Sequence, residues 1–333
     1  MTFSAWRQQQ LRGVGRAACA AVALWLAGAH PALAAQFYVS AGGSNGNAGT
    51  AAAPWATLQY AAGRVGPGDT VTVRPGDYTG FHLTASGGAG SPIRFLAEPG
   101  ARITARNATT PDGINLEGAS HVVIDGFEVF GMGRAGVRSV LGQAVTIRNV
   151  RAYDNERWGI FTGFVDDLLI ENNETYGSRI EHGIYVSNSG DRPVLRGNTS
   201  YNNRGSGIHM NGDVSQGGDG IISGALVTGN RIFGNAAYNA QSATYGGGSG
   251  INMDGVQDSR VENNLLYDNH ASGISLYRID GGKPSTGNTI VNNTVVQAEN
   301  GRWALNVQNA STGNTVLNNI LLNISSAATA KGA

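Results

Sequence analysis

Cysteine is nearly absent from this chain: of 333 residues only Cys19 carries a thiol. A disulfide framework is excluded, so stability must come from packing. Lysine is almost as scarce, with only Lys283 and Lys331, and the 23 basic residues balance the 23 acidic ones. A neutral, lysine-poor chain is poorly suited to general nucleic-acid binding, and no nucleic-acid partner is expected. Charged side chains make up only 14% of the sequence, which argues against long solvated helices. The longest apolar run, Ala17 to Ala29, is shorter than a membrane span requires. Glycine is abundant, at 50 residues, about double ordinary usage. Without a proline triplet repeat, that enrichment indicates many turns rather than collagen.

Residues 1–35 have the pattern of an export signal. Arg7, Arg12 and Arg16 precede the apolar run, and Ala32-Leu33-Ala34 supplies a small-x-small cleavage site. The expectation is a secreted or periplasmic protein, with no membrane span once the signal is removed. Cleavage would also remove Cys19 and leave the remainder, 36–333, slightly acidic.

A repeat runs through most of that remainder. Gly113-Ile114, Gly136-Val137, Gly159-Ile160, Gly183-Ile184, Gly207-Ile208, Gly250-Ile251 and Gly273-Ile274 each open a short alternating segment, and Ala304-Leu305 is a degenerate copy. Most copies lie about two dozen residues apart. The step from Gly207 to Gly250 is nearly twice as long, which implies one coil plus loop insertions. Each unit also carries an asparagine turn: Asn149, Asn172-Asn173, Asn198, Asn230, Asn263-Asn264, Asn292-Asn293 and Asn318-Asn319. Tyr153, Tyr176, Tyr201 and Tyr267 follow several of them.

Such short strands cannot fold alone, but stacked at ~4.8 Å each pairs with its copies above and below. Asparagine tolerates the left-handed turn, and stacked copies can hydrogen-bond along the axis. The spacing is half that of a propeller blade, and no helical return accompanies it as in leucine-rich repeats. The expected fold is all-β: a single-stranded right-handed parallel β-helix, or solenoid, with a short N-terminal capping helix over Pro54 to Ala62. The cap and first coils would occupy 36–110 and the regular coils 111–325.

Phe37-Tyr38-Val39-Ser40, Pro54-Trp55-Ala56-Thr57-Leu58-Gln59 and Gly68-Asp69-Thr70-Val71-Thr72-Val73 with Gly76-Asp77-Tyr78 are similar to the opening of secreted right-handed β-helix proteins. The Gly-Ile and Asn-Asn coils resemble the pectin-lyase-like superfamily. The resemblance covers about residues 36–325. It implies the fold, but the superfamily carries lyases, hydrolases, epimerases and adhesins, so it does not fix the reaction. The Asn-x-Asp, Asp-Asp and Gly-His-Gly set of polygalacturonase-type hydrolases is missing, since Asp166-Asp167 stands alone.

The repeat lets outward columns be read directly. The position after each Gly-Ile pair gives Asn115, Arg138, Phe161, Tyr185, His209, Asn252 and Ser275. Two residues later come Glu117, Ser187, Asn211, Asp254 and Tyr277, followed by Arg278. Arg179, His182, Arg204 and Arg302-Trp303 lie just before strands.

This mixture suits an acidic polysaccharide. Removing the proton beside a uronate carboxylate needs a base, an acid and neutralisation of the carboxylate. His209 is the expected base, Tyr185 its acid partner and Arg204 the carboxylate clamp, with Asp254 orienting His209. Arg179, His182, Phe161, Asn211, Asn252, Tyr277 and Arg278 complete the expected substrate contacts. Each outward tyrosine or histidine has a plainer reading as surface packing, and each arginine as a partner for acids such as Glu181. Asp213, Asp219 and Asp254 could hold calcium, and no other cofactor is implied. The first expectation is a polysaccharide lyase or C5-epimerase, acting as a monomer. A non-catalytic carbohydrate-binding or surface protein comes second, and a glycoside hydrolase third.

Overall fold

Alternation of apolar and polar residues over three to five positions gives the strands, and their stacking gives the molecule. A computed structural model describes residues 34–236 and 249–324. The expected signal segment therefore lies outside the described residues except at its last two positions, as do 237–248 of the long insertion and 325–333.

Three parallel sheets of 11, 9 and 10 strands run along the axis. One turn of the chain contributes Trp158–Asp166 to the nine-strand sheet, Leu169–Glu171 to the eleven-strand sheet and Glu174–Tyr176 to the ten-strand sheet. The next turn returns to the nine-strand sheet at Ile184–Ser187, where Ile160 pairs with Ile184. Stacked apolar residues such as Ile114, Ile147, Ile160, Ile170, Ile184 and Ile208 are fully buried and form one continuous core. The parallel solenoid expected from the repeat is the observed fold. The long Gly207–Gly250 step is, as expected, a single coil with insertions: it passes through Leu226–Thr228 and Arg231–Phe233 before Ile208 meets Ile251 on the next strand.

The paired asparagines divide their work. Asn149, Asn172, Asn263, Asn292 and Asn318 have φ of 53 to 57° and make the left-handed corner; Gly197 and Gly229 hold it where asparagine is absent. The following asparagines point inward as a ladder. Asn173 donates through Nδ2 to Asn198 Oδ1 at 3.0 Å, and the same link joins Asn198 to Asn230, Asn230 to Asn264, Asn264 to Asn293 and Asn293 to Asn319. Buried amides are thereby satisfied, as an apolar interior demands. On the outer side of the ten-strand sheet Phe130, Tyr153, Tyr176, Tyr201, Phe233 and Tyr267 stack with centroids 4.8 to 4.9 Å apart, which is the strand spacing itself.

The capping helix is shorter than expected, at Leu58–Ala62. Thr57 starts it, its side chain accepting from the Tyr60 N–H. Trp55 is not helical, because its N–H and C=O are taken by Tyr38 and Ser40 in an extended pairing. The helix does cover an edge: Gln59 donates to His82 O at 3.0 Å and accepts from His82 N at 2.8 Å. Those bonds occupy the open side of Phe81–Leu83, the first strand of the nine-strand sheet.

Candidate functional site

The repeat glycines of the nine-strand sheet, from Gly113 to Gly273, sit where a Cβ has no room. At Gly207 it would run into Ile232, and at Gly183 into Ser200. The following isoleucine turns inward, so the next side chain must face out. Register confirms the column: Arg138 pairs with Asn115 and Phe161, Phe161 with Tyr185, Tyr185 with His209, His209 with Asn252, and Asn252 with Ser275. Asn211, Asp254 and Tyr277 form the second column.

Tyr185 and His209 lie face to face, with centroids 4.9 Å apart and planes 14° from parallel. Phe161 meets Tyr185 edge-on at 5.4 Å and stacks on Trp158 at 4.4 Å. Asn211 donates through Nδ2 to Tyr185 Oη at 3.1 Å. Burial raises the Tyr185 phenol above its ordinary value, and its hydrogen bonds with Ser187 and Asn211 oppose that rise.

His182, expected as a sugar contact, bonds instead to His209, with Nε2 2.8 Å from His209 Nδ1. The Ser206 N–H donates to His182 Nδ1 at 2.9 Å. Nδ1 is thus an acceptor, so neutral His182 carries its proton on Nε2 and donates it to His209 Nδ1. His209 must then carry its own proton on Nε2. Burial holds His209 down to about 4, and holds His182 well below its ordinary value with help from His209. His209 is partly exposed as a residue, but Nε2 itself is covered and finds no partner. A neutral histidine in this tautomer has no lone pair for a sugar proton. The expectation of His209 as the base is therefore corrected: it stacks on Tyr185 and fixes the ring.

Asp254 does not orient His209 either. Its oxygens accept backbone N–H groups from Ile279 at 2.9 Å, Asp280 at 2.9 Å and Gly281 at 3.0 Å. It clamps the loop after Tyr277, and the same loop sends Asp280 to within 3.4 Å of Asn211 Nδ2. Arg278 turns onto this loop, donating to Gly281 O at 3.1 Å. The carboxylates expected to hold calcium are engaged within the chain. Asp213 caps the short helix Val214–Gln216 and Asp219 accepts from Ile221 N. Among the described residues no group of three or more histidine, cysteine or acidic side chains is placed to share a metal.

Arg204 and Arg179 do come together, but at another corner. They line a cleft of about 460 Å³ with Ser178 and Asn203, and that lining includes none of Tyr185, His182 and His209. Arg204 as the clamp on a sugar held at Tyr185 is thus not supported. Both arginines follow the asparagine turn before the strand begins, and the chain rounds a corner between them and the outward column.

Two other clefts flank Tyr185 and His209 along the axis. One, of about 290 Å³, is lined by Glu117, Arg134, Arg138, Trp158, Phe161 and Asn188 among others. Arg134 is engaged by buried Asp112, and Arg138 by Asn115 and Glu117. The other, of about 300 Å³, contains Asn252, Ser275, Tyr277, Arg302, Trp303 and Asn306. Burial raises the Tyr277 phenol, as do the carboxylates of Asp254 and Asp280. The Arg302-Trp303 pair was visible in the sequence only as a strand approach; the column count placing Asn306 beside Ser275 is what could have assigned it.

Similar solved structures share this architecture. An alginate lyase from Paenibacillus sp. str. FPU-7 superposes with a TM-score of 0.63 at 21% identity, over 80% of this chain and 96% of that one. Pectate lyase Pel9A gives 0.65 at 17% identity, over 90% and 81%. A glycoside hydrolase gives 0.58 at 10% identity, over 86% and 96%. At such identities the likeness is one of fold. No protein of curated function matches the sequence significantly. The model of the Pel9A-like right-handed β-helix region matches residues 37–314, most of the sequence, and the chain belongs to that family.

Proposed function

We propose that this chain is a polysaccharide lyase acting on a uronate-containing polymer, with Tyr185 as the group that moves the proton. The observation that carries the reading is the outward column on the nine-strand sheet, where Tyr185 stands between Phe161 and His209 with clefts on either side. Six strand spacings separate Arg138 from Asn306, about 29 Å, a length suited to several linked sugars. As tyrosinate, Tyr185 takes the proton beside the carboxylate. The electron pair becomes the new carbon–carbon double bond, the bond to the leaving oxygen breaks, and Tyr185 Oη returns the proton to that oxygen. Asn211 stabilises the phenolate by donating to Oη, and in this reading Asn252, one strand beyond His209, donates to the carboxylate. Delivery of a proton to the opposite face of the same carbon by a second donor would give C5-epimerisation instead. Likeness to an alginate lyase and a pectate lyase supports the reading at the level of fold. Export to the periplasm or medium, where such polymers occur, belongs to the same proposal.

The raised phenol and neutral histidines favour one other reading, a groove that binds an acidic polysaccharide without turnover. Incubation with alginate, polygalacturonate and other acidic polysaccharides, following absorbance of the unsaturated product, separates the two. Product from any polymer supports the lyase. Binding without product, and without change in uronate configuration, supports the binder.

A further inference from the structure

We propose that the cleft beside Phe161 is a subsite for an esterified sugar unit, seating the small alkyl or acyl group of that ester against Leu141, Phe161 and Phe164. The inference rests on the polysaccharide reading above, and it names a feature of the polymer that this end of the groove selects.

Position comes first. Phe161 lies one strand from Tyr185 and Arg138 two, so the cleft covers the groove about 5 to 10 Å from Tyr185. Its volume, about 290 Å³, is at the lower end for small-molecule clefts, the scale of one substituted sugar.

The backbone comes second. Glu117, Val140, Gly163 and Ser187 are register partners on successive turns. The residues after them, Gly118, Leu141, Phe164 and Asn188, therefore stack at one corner. All four are left-handed, with φ of 70, 57, 54 and 58°. Glycine and asparagine take that conformation readily, whereas leucine and phenylalanine take it at a cost. Leu141 nevertheless stands 60% exposed, and both side chains line the cleft. Apolar side chains held in an unfavourable conformation at a groove wall point to a ligand.

Gly163 is an independent sign. It holds an outward strand position, and a Cβ there would meet nothing closer than 3.4 Å. Its φ is outside the left-handed region. Neither conformation nor packing demands glycine, yet the missing side chain keeps the floor of the cleft open.

Charge comes third. Arg134 pairs with Asp112, and Arg138 with Glu117 at 3.0 Å and Asn115 at 2.8 Å. Among the described lining residues each arginine is thus met by a carboxylate, and Val140, Leu141, Trp158, Phe161 and Phe164 supply apolar surface. A uronate carboxylate would have to compete with those pairs. A methyl ester or an O-acetyl group instead gains by leaving water.

The test is calorimetric titration of the full chain carrying Tyr185→Phe, which removes turnover. The probes are galacturonate hexamers with and without methyl esters, and mannuronate hexamers with and without O-acetyl groups. One esterified hexamer should bind roughly threefold to tenfold tighter than its unesterified form. Which of the two does so tells an ester of the carboxyl from an ester of a hydroxyl. Adding Leu141→Asn and Phe164→Asn should bring that ratio to about one without lowering the thermal unfolding midpoint, because asparagine relieves the corner. Gly163→Val, which fills the floor, should likewise abolish the preference. Equal or weaker binding of both esterified hexamers, or a preference that survives these substitutions, overturns the subsite and leaves the groove reading intact. If no hexamer of any kind binds, the groove reading fails and the subsite fails with it.

Discussion

Asn230→Ala tests the internal ladder at its centre. Asn230 Oδ1 accepts from the Asn198 N–H at 2.9 Å and from Asn198 Nδ2 at 3.0 Å. Its Nδ2 donates to Leu195 O and to Asn264 Oδ1, both at 2.9 Å. Removing the amide strands the buried Asn198 N–H outright. Asn198 Nδ2 keeps Ile170 O, and Asn264 Oδ1 keeps the Asn230 N–H. One orphaned donor costs about 1–3 kcal/mol, and each weakened bond adds about 0.5–1 kcal/mol. The expected total is about 2–5 kcal/mol, a large share of an ordinary domain's stability. Asn263, one turn on, is the control. It is exposed at φ 55° and serves the corner only, so Asn263→Gly should change stability by less than about 1 kcal/mol. Urea unfolding gives both values, and hydrogen exchange along the turns shows whether the loss is local, since repeat arrays can open in part. A loss below about 1 kcal/mol for Asn230→Ala would refute the reasoning that the ladder satisfies buried amides.

Other outcomes follow from the same geometry. His209 holds its proton more weakly when folded, at about 4 against 6.5, so the unfolded chain binds more protons between those values. Stability should therefore fall as pH drops from about 6.5 towards 4, and His209→Gln should flatten that slope in urea midpoints measured across the range. Thr162 Oγ1 is buried without a partner; Thr162→Val should stabilise the chain by about 1 kcal/mol in the same assay. Because the Tyr185 phenol is raised, turnover that uses tyrosinate should climb with pH through the alkaline range, and a rate constant flat above neutrality would exclude that form. Asp254→Ala frees three backbone N–H groups of residues 279–281 and should speed their hydrogen exchange without altering exchange at Tyr185.

The sequence carried the fold further than the site. Gly-Ile pairs mark one position per turn, so counting from them set Tyr185 beside His209 and Asn252 beside Ser275, as the register shows. Counting fails off the strands. His182 lies in the approach to its strand, and only three dimensions put its ring 2.8 Å from His209. The tautomer that disqualifies His209 as a base depends on one backbone N–H, from Ser206, which no pattern of residue types reveals. Asp254 was placed correctly in its column, but the loop it clamps arrives from an insertion whose path the repeat does not encode. Arg204 and Arg179 are neighbours on adjacent turns, as the spacing implied, yet the corner carries them into a different cleft.

The claim that Tyr185 moves a proton on a uronate polymer is tested most directly by comparing the parent chain with Tyr185→Phe on the polymer it cleaves best. Release of the unsaturated product should fall by at least about a hundredfold, with binding of the polymer and the unfolding midpoint unchanged. Product released at the parent rate by Tyr185→Phe would contradict the account.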